Sequence, residues 1–232
     1  MVDKSKPIIL SLGGSLVIPN GGPDVDFLNA FNTFVRAKVI EGWRFFIVVG
    51  GGSTARHYID GAKTIGGKIS DWDLDWLGIH TTRLNAHLIK TIFEGVVHPR
   101  VIQNYQKKIA NLKEPIVVAA GWKPGWSTDY DAVTLARDYD AEVLINLSNV
   151  AQVYDKDPRM NEDAKPLSKI SWDDFSAMVG DTWTPGKNVP FDPIASKVAK
   201  KLGLKVVIMD GGNLPNLDNF MKGNKFVGTV IG

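Results

Sequence analysis

Residues 45–60, FFIVVGGGSTARHYID, constrain the fold of this chain more than any other stretch. Five apolar residues, Phe45 to Val49, run straight into Gly50, Gly51 and Gly52. A β-rich run of that length, closed by glycine, reads as a fully buried strand. The glycines read as a tight turn. A helix follows, with Ser53 and Thr54 as candidate caps and Tyr58 and Ile59 among its inner-face candidates. Strand, bare turn, helix N-terminus and Arg56 together make an anion site: backbone N–H groups point outward, the helix dipole favours negative charge, and a guanidinium forks onto phosphate oxygens. Taken alone, the same pattern fits a tight strand–helix connection with a surface arginine. Other stretches have to decide.

Residues 8–12, IILSL, repeat the design by running into Gly13, Gly14 and Ser15. Between the two strands, Asp24 is a plausible N-cap, and Val25, Leu28, Phe31, Val35 and Val39 fall at helical spacing before Gly42. Strand, helix, strand is a βαβ unit, so both glycine loops should open on one edge of a parallel sheet, where ligands bind in such folds. Residues 61–70 read as a loop. Asp71 to Glu94 reads as one long helix with Leu74, Leu77, Thr81, Leu84, Leu88 and Ile92 on its inner face and Gly95 as its C′ residue. Residues 99–112 read as a second helix or helical turn. Strands are expected over 116–120, 142–147, 205–209 and 226–231, and helices over 127–139, 171–179 and from Asp192-Pro193 to Gly203, with Ile194, Val198 and Leu202 inward. Strands alternate with helices throughout, which makes the class α/β with helices on both faces of a mostly parallel sheet. The whole chain, 1–232, reads as a single domain with a soft boundary near 113–115.

Composition narrows the function. The chain has 232 residues, a net charge of +2, no basic block and no cysteine. A dedicated duplex-binding protein is not expected, disulfides and thiolate metal sites are excluded, and a reducing cytoplasm suits the chain. No signal-peptide pattern opens it and no apolar run approaches membrane-spanning length. His57, His80, His87 and His98 show no metal spacing, and Asp71, Asp73 and Asp75 read as a solvated helix start. Neither glycine loop carries the phosphate-loop ending or the dinucleotide fingerprint. Two loops on one edge nonetheless suit phosphoryl transfer, one loop per phosphate group.

LSLGGSL, VVGGGSTARHYI, DWLGIHTTRLNAHLI, GWKPGWSTDYDAV, NVAQVYDKDP and FDPIASKVAKKLG occur in the order seen in the amino acid kinase family, and most resemble its archaeal-type uridylate kinases. The likeness runs from about residue 7 to the closing GTVIG. It implies a three-layer αβα sandwich and transfer of the γ-phosphoryl of ATP to UMP with Mg2+. It implies Arg56, Asp192 and Gly14 as catalytic residues, Asp192 orienting a lysine or the metal. Contacts to ATP are implied for Ser11, Leu12, Gly13, Gly14, Ser15, Gly51, Arg56, Ser148, Asn149, Tyr154 and Asp157. Acceptor contacts are implied for Gly50, for Asp75 on the ribose, and for the loop Gly121, Trp122, Lys123, Pro124, Gly125, Trp126, Ser127 and Thr128. A cytoplasmic homohexamer is implied as well.

The chain departs from the family pattern in places. Ser11 and Ser53 stand where relatives carry lysines, so transition-state charge falls to Arg56, with Lys123, Lys187 and Lys197 as reserves. Loss of one positioned cation costs on the order of a hundredfold in rate, and reduced activity is expected. Ala151-Gln152 replaces the Asp-Gly of the nucleotide turn, where a glutamine tolerates positive φ poorly. Trp122 and Trp126 replace smaller residues and suit stacking on a base or packing on a partner subunit. Two alternatives stay open: a kinase of another small acceptor such as isopentenyl phosphate, and a non-catalytic nucleotide-binding or storage module.

Overall fold

The computed structural model describes residues 2–158, 160–180 and 189–232. Lys187 lies outside them. Seven strands form one sheet in the order β3-β2-β1-β4-β8-β9-β7. Its parallel part comprises β1 (Ile8–Leu12), β2 (Phe45–Val49), β3 (Ile116–Ala119), β4 (Val143–Ser148) and β8 (Lys205–Asp210). On the far edge β9 (Thr229–Ile231) runs antiparallel to β8, and β7 (Lys169–Ile170) runs with β9. A separate hairpin pairs β5 (Val153–Tyr154) with β6 (Pro166–Leu167). The sheet draws strands from both sides of residue 113.

The apolar runs of the strands reflect burial on both faces. Phe45, Ile47 and Val49 enter one core with Ile8, Leu10 and Leu12, while Phe46 and Val48 enter the other with Ile9. The first core is closed by α1 (Gly14–Val17), α2 (Val25–Ile40), α4 (Asp71–Ile92) and α8 (Leu214–Lys222); α3 (Gly52–Gly66) packs on α4. The second is closed by α5 (Thr128–Asp138), α6 (Trp172–Val179) and α7 (Pro193–Leu202). This is the expected α/β sandwich.

The expectations fail in several local places. Residues 99–112 form no helix. The backbone bonds here go to the sheet edge, with the His98 and Ile102 N–H groups donating to the Ile116 and Val118 carbonyls at 2.8 and 2.9 Å. Val97 and Ile102 instead bridge to Ile116 and Ala119 beside β3. Residues 61–66 continue α3, which absorbs the roughly 1 kcal/mol that an interior Gly61 costs; Gly67, at φ 65°, ends it. The N-cap of α3 is Gly51, not Ser53 or Thr54, and Tyr58 is 61% exposed. On α4 Leu84 is exposed, and Asn85, Ala86 and Ile89 are inside. Gly95 falls one residue beyond the C′ position, since Phe93 is the C-cap. Val25 on α2, and Ile194 and Leu202 on α7, are also exposed; small Ala195, Ser196 and Ala199 let α7 approach. Only Thr229–Ile231 of the closing segment is strand, and α8 fills a stretch where no element was expected.

Candidate active site

Register places the loops. Leu12 pairs with Val49 on one side and Leu147 on the other, Ala119 pairs with Val48, and Asp210 pairs with Ser148. The five parallel strands therefore end at one height, and the loops after them share a rim. The two glycine loops touch there, backbone on backbone. A Cβ on Gly14 would stand 2.1 Å from the Gly52 nitrogen and 2.6 Å from the Gly50 carbonyl carbon. Only glycine permits that approach. Arg56, exposed in the second turn of α3, donates from Nη1 to Ser15 Oγ at 3.3 Å. Gly50, Gly51, Gly14, Ser15 and Arg56 are thus brought together, with Leu12 and Gly13 at the end of β1.

Ser53 has a different task from a lysine. It is 3% exposed, donates from Oγ to the Ile18 carbonyl at 3.0 Å and accepts from the Gly21 N–H at 2.7 Å. It pins the loop after α1 to the start of α3. Ser11 points the other way along β1, to the α5 face, and donates to Asp129 Oδ1 at 3.1 Å. Asn146, the register partner of Ser11 on β4, donates to the same oxygen at 3.5 Å. The Asp192 N–H donates to Asp129 Oδ2 at 3.2 Å. Asp192 caps α7 by accepting from Ile194 and Ala195 N–H groups at 2.6 and 2.7 Å. Burial, and then the Asp192 charge, push the Asp129 carboxyl up to about 7 against the pull of the Asp192 N–H and the Ser11 hydroxyl. Two carboxylates so placed attract a cation.

The loop after β3 is held on many sides. Tyr105 Oη donates to the Ala120 carbonyl at 2.8 Å, and the Gly121 N–H donates to Thr82 Oγ1 at 2.9 Å. Arg83 donates from Nε to the Gly121 carbonyl at 3.3 Å and from Nη2 to the Trp122 carbonyl at 2.9 Å. The Trp122 N–H donates to Asp131 Oδ2 at 3.3 Å, and the Gly125 N–H to Asp75 Oδ2 at 2.8 Å. Asp131 is fully buried, and its carboxyl is held well above the carboxylate range by burial, against the Trp122 N–H and Arg83. Trp126 stands edge-to-face between Trp122 and Tyr130, with centroids 4.6 and 4.3 Å away. Lys123 Nζ lies 4.4 Å from the Trp122 ring centre and 4.7 Å from that of Trp126. Pro124 is buried, and Ser127 caps α5 just before Thr128. The tryptophans therefore pack on each other and on a lysine as one unit.

On the other flank, Ser148, Asn149, Tyr154 and Asp157 line a recess of about 620 Å³ with Val179 and Pro190. Gln152 does not adopt positive φ; among the described non-glycine residues only Asn111 and Asp140 do. The turn accommodates glutamine in ordinary backbone, and its Nε2 donates to the Gly228 carbonyl at 3.2 Å.

Asp129, Asp131, Arg83 and Asn85 lie inside the quoted motifs and Asn146 beside one, yet the sequence assigns none of them a role. A signal existed for Asn146 and its partner Asp129: Ser11 and Asn146 are polar residues inside otherwise apolar strands, and such a pair needs a polar partner between them. Among the described residues no group of three or more His, Asp or Glu is gathered for a metal, and no helix is long and apolar enough to cross a membrane.

The profile of the amino acid kinase family matches residues 6–210. The chain is 36% identical over 228 residues to the uridylate kinase of Thermococcus onnurineus, covering 97% of this chain and 98% of that protein. It is 35% identical over 209 residues to that of Sulfurisphaera tokodaii, covering 89% and 91%. The crystal structure of uridylate kinase from Archaeoglobus fulgidus superposes with a TM-score of 0.81 at 31% identity, over 97% of this chain and all of that one. A UMP kinase structure from Bacillus anthracis, at 21% identity and TM-score 0.79 over 98% and 96%, shares the fold.

Proposed function

This chain belongs to the amino acid kinase family, and from that premise we propose that it is a uridylate kinase, transferring the γ-phosphoryl of ATP to UMP to give ADP and UDP. The observation that carries the proposal is the contact between the two glycine loops: Gly14 and Gly52 meet backbone to backbone at the rim, with Arg56 beside them. Two phosphate-holding turns in contact put donor and acceptor phosphates face to face, and positioning of that kind is most of what phosphoryl transfer asks of a protein.

In this reading the loop Gly121–Thr128 and Asp75 take UMP, and the recess of Ser148, Asn149, Tyr154 and Asp157 takes the adenosine end of ATP. Gly13, Gly14, Ser15, Gly50, Gly51 and Arg56 hold the phosphates between them. Asp129 and Asp192 suit a magnesium ion, which needs only one or two carboxylates beside nucleotide phosphates and waters. Bound there, magnesium would supply neutralisation of phosphate charge. Arg56 carries the charge that lysines at positions 11 and 53 would otherwise share. We also carry over a homohexamer. The exposed Tyr58, Ile65, Trp72 and Leu84 of α3 and α4 support burial of that surface in an assembly, and light scattering of the purified chain tests it.

An ADP-release assay with ATP, magnesium and UMP, CMP or AMP tests the function. Turnover of UMP well above the other two is expected. Equal rates on all three, or none above background, would sink the assignment.

A further inference from the structure

We propose that Asn85, acting with Thr82 and Arg83, is a positioning residue that locks the peptide planes of the glycine loop and fixes that loop against the acceptor loop. The proposal rests on the uridylate kinase reading. Asn85 is 2% exposed, and its Nδ2 donates to the carbonyls of both Gly50, at 2.8 Å, and Gly51, at 3.1 Å. No peptide bond in the described residues is cis, and in a trans peptide the carbonyl and the following N–H point to opposite sides. The N–H groups of Gly51 and Gly52 are therefore turned away from α4. On that side lies Gly14, whose missing Cβ would fall 2.1 Å from the Gly52 nitrogen.

A run of three glycines has no side chain to resist a peptide flip, and glycine populates both signs of φ readily. A flip would aim a carbonyl oxygen where a phosphate has to sit. One buried amide that holds two consecutive carbonyls removes that alternative. It also selects the N–H-outward arrangement before any ligand arrives, the preorganisation that anion stabilisation depends on.

The same turn of α4 reaches the other loop. Thr82, 6% exposed, accepts from the Gly121 N–H, and Arg83 donates to the Gly121 and Trp122 carbonyls. Residues 82–85 thus grip the backbone after β2 and after β3 at once. The separation of the two loops is set by one rigid helical turn, and it cannot change without breaking these bonds.

The test is steady-state kinetics of the full chain with ATP, magnesium and UMP, alongside melting curves. Asn85→Asp keeps the size but replaces the donor with oxygens that repel both carbonyls. Asn85→Ala removes the donor without burying a charge. Both are expected to lower kcat by on the order of a hundredfold, as misplaced reacting groups do. Arg83→Lys is expected to raise KM for UMP about tenfold, the worth of a hydrogen bond to a charged group, and to leave KM for ATP unchanged. A merely structural role predicts no such split. Folded Asn85 variants with kcat within about threefold of wild type would overturn the proposal. So would a loss that vanishes on cooling in step with recovered fold, or failure of both variants to fold. If wild type binds ATP but does not phosphorylate UMP, the uridylate kinase reading falls instead. Asn85 is then judged by calorimetry: ATP binding at least about tenfold weaker in Asn85→Ala supports its role, and unchanged binding refutes it.

Discussion

The two flanks of the rim are built differently. On the acceptor side, the loop after β3 has its backbone groups taken up by Tyr105, Thr82, Arg83, Asp131 and Asp75, side chains from α4, α5 and the segment before β3. On the nucleotide side, residues 149–151 and 155–158 are exposed. Among the described residues, that segment is held by a two-residue hairpin, by bonds within itself such as Lys165 N–H to Asp155 Oδ1 at 2.8 Å, and to the sheet by bonds such as Val153 N–H to Thr229 Oγ1 at 2.8 Å. Under the proposed function, the contrast puts selectivity on the flank that takes the acceptor. A loop whose peptides are fixed from several helices discriminates by shape and by unpaired polar groups. An open recess discriminates less and tolerates more change. The family-pattern departures obey the same division: Ala151 and Gln152 fall on the tolerant flank, while Trp122 and Trp126 are built into the rigid one.

The largest effect is expected where the flanks meet. Gly14→Ala would place a methyl 2.1 Å from the Gly52 nitrogen, with backbone on both sides and no flexible side chain to yield. Overpacking of this kind costs about 1–3 kcal/mol or more, and turnover should fall below detection because both loops must shift. Urea unfolding and the ADP-release assay together check this. A near-native, active variant would mean that the loops do not need their contact. Next in size is Arg56→Ala. Arg56 is exposed and bonded only weakly to Ser15, so the melting temperature should stay within about 2 °C, while kcat falls on the order of a hundredfold. Equal losses in both would make Arg56 structural.

The fold was legible because positions 45–49 are apolar throughout, positions 8–12 are apolar but for Ser11, and both runs end in glycine, a pattern that suits buried parallel strands. Helix faces were less legible. On α4 Thr81 is inside as its spacing predicts, but Thr82 and Asn85 are inside too, and a search for apolar spacing passes over them in favour of Leu84. They are inside because glycine-loop backbone needs partners, a tertiary demand that hydrophobic periodicity does not encode. The same holds for the site. Motifs marked residues that line the rim, whereas Asp129 and Asp131 become visible only when strand register brings Ser11, Asn146 and the Trp122 peptide to α5. Residues 99–112 carry no helix because Val97 and Ile102 bridge to β3, a long-range pairing that local spacing does not encode.

Asp129 lies between the flanks and gives the third prediction. Its carboxyl is raised from an ordinary 3.8 to about 7. Between those values the folded state keeps a proton that the unfolded state has lost, so stability falls as pH rises through this window, and the penalty is complete above about 7. The slope should amount to roughly 2–4 kcal/mol across the window. Asp129→Asn should remove the Asp129 share of it and leave that of Asp131, which burial also raises. The absolute gain at pH 8 will be smaller, because an amide NH2 would face one of three donors, Ser11, Asn146 or the Asp192 N–H. Turnover should drop about tenfold as a charge near the phosphates is lost. A wild-type curve that is level from pH 4 to 7 would remove this carboxyl from the account.

The smallest effect sharpens the comparison most. Gln152→Gly restores the residue type of the family's nucleotide turn. If glutamine strained that turn, the substitution would relieve strain and lower KM for ATP. The structure places Gln152 outside the positive-φ region and gives its amide a bond to the Gly228 carbonyl. Glycine there gains no backbone freedom that the fold uses, and it loses that bond. Stability should therefore fall by about 0.5–1 kcal/mol, and KM for ATP should stay within about twofold of wild type, because Gln152 is one lining residue of the recess among many, Tyr154, Asp157 and Pro190 with it, and its amide is turned to the Gly228 carbonyl. A several-fold fall in KM would mean that the nucleotide flank is as tightly specified as the acceptor flank, and the division between them would fail.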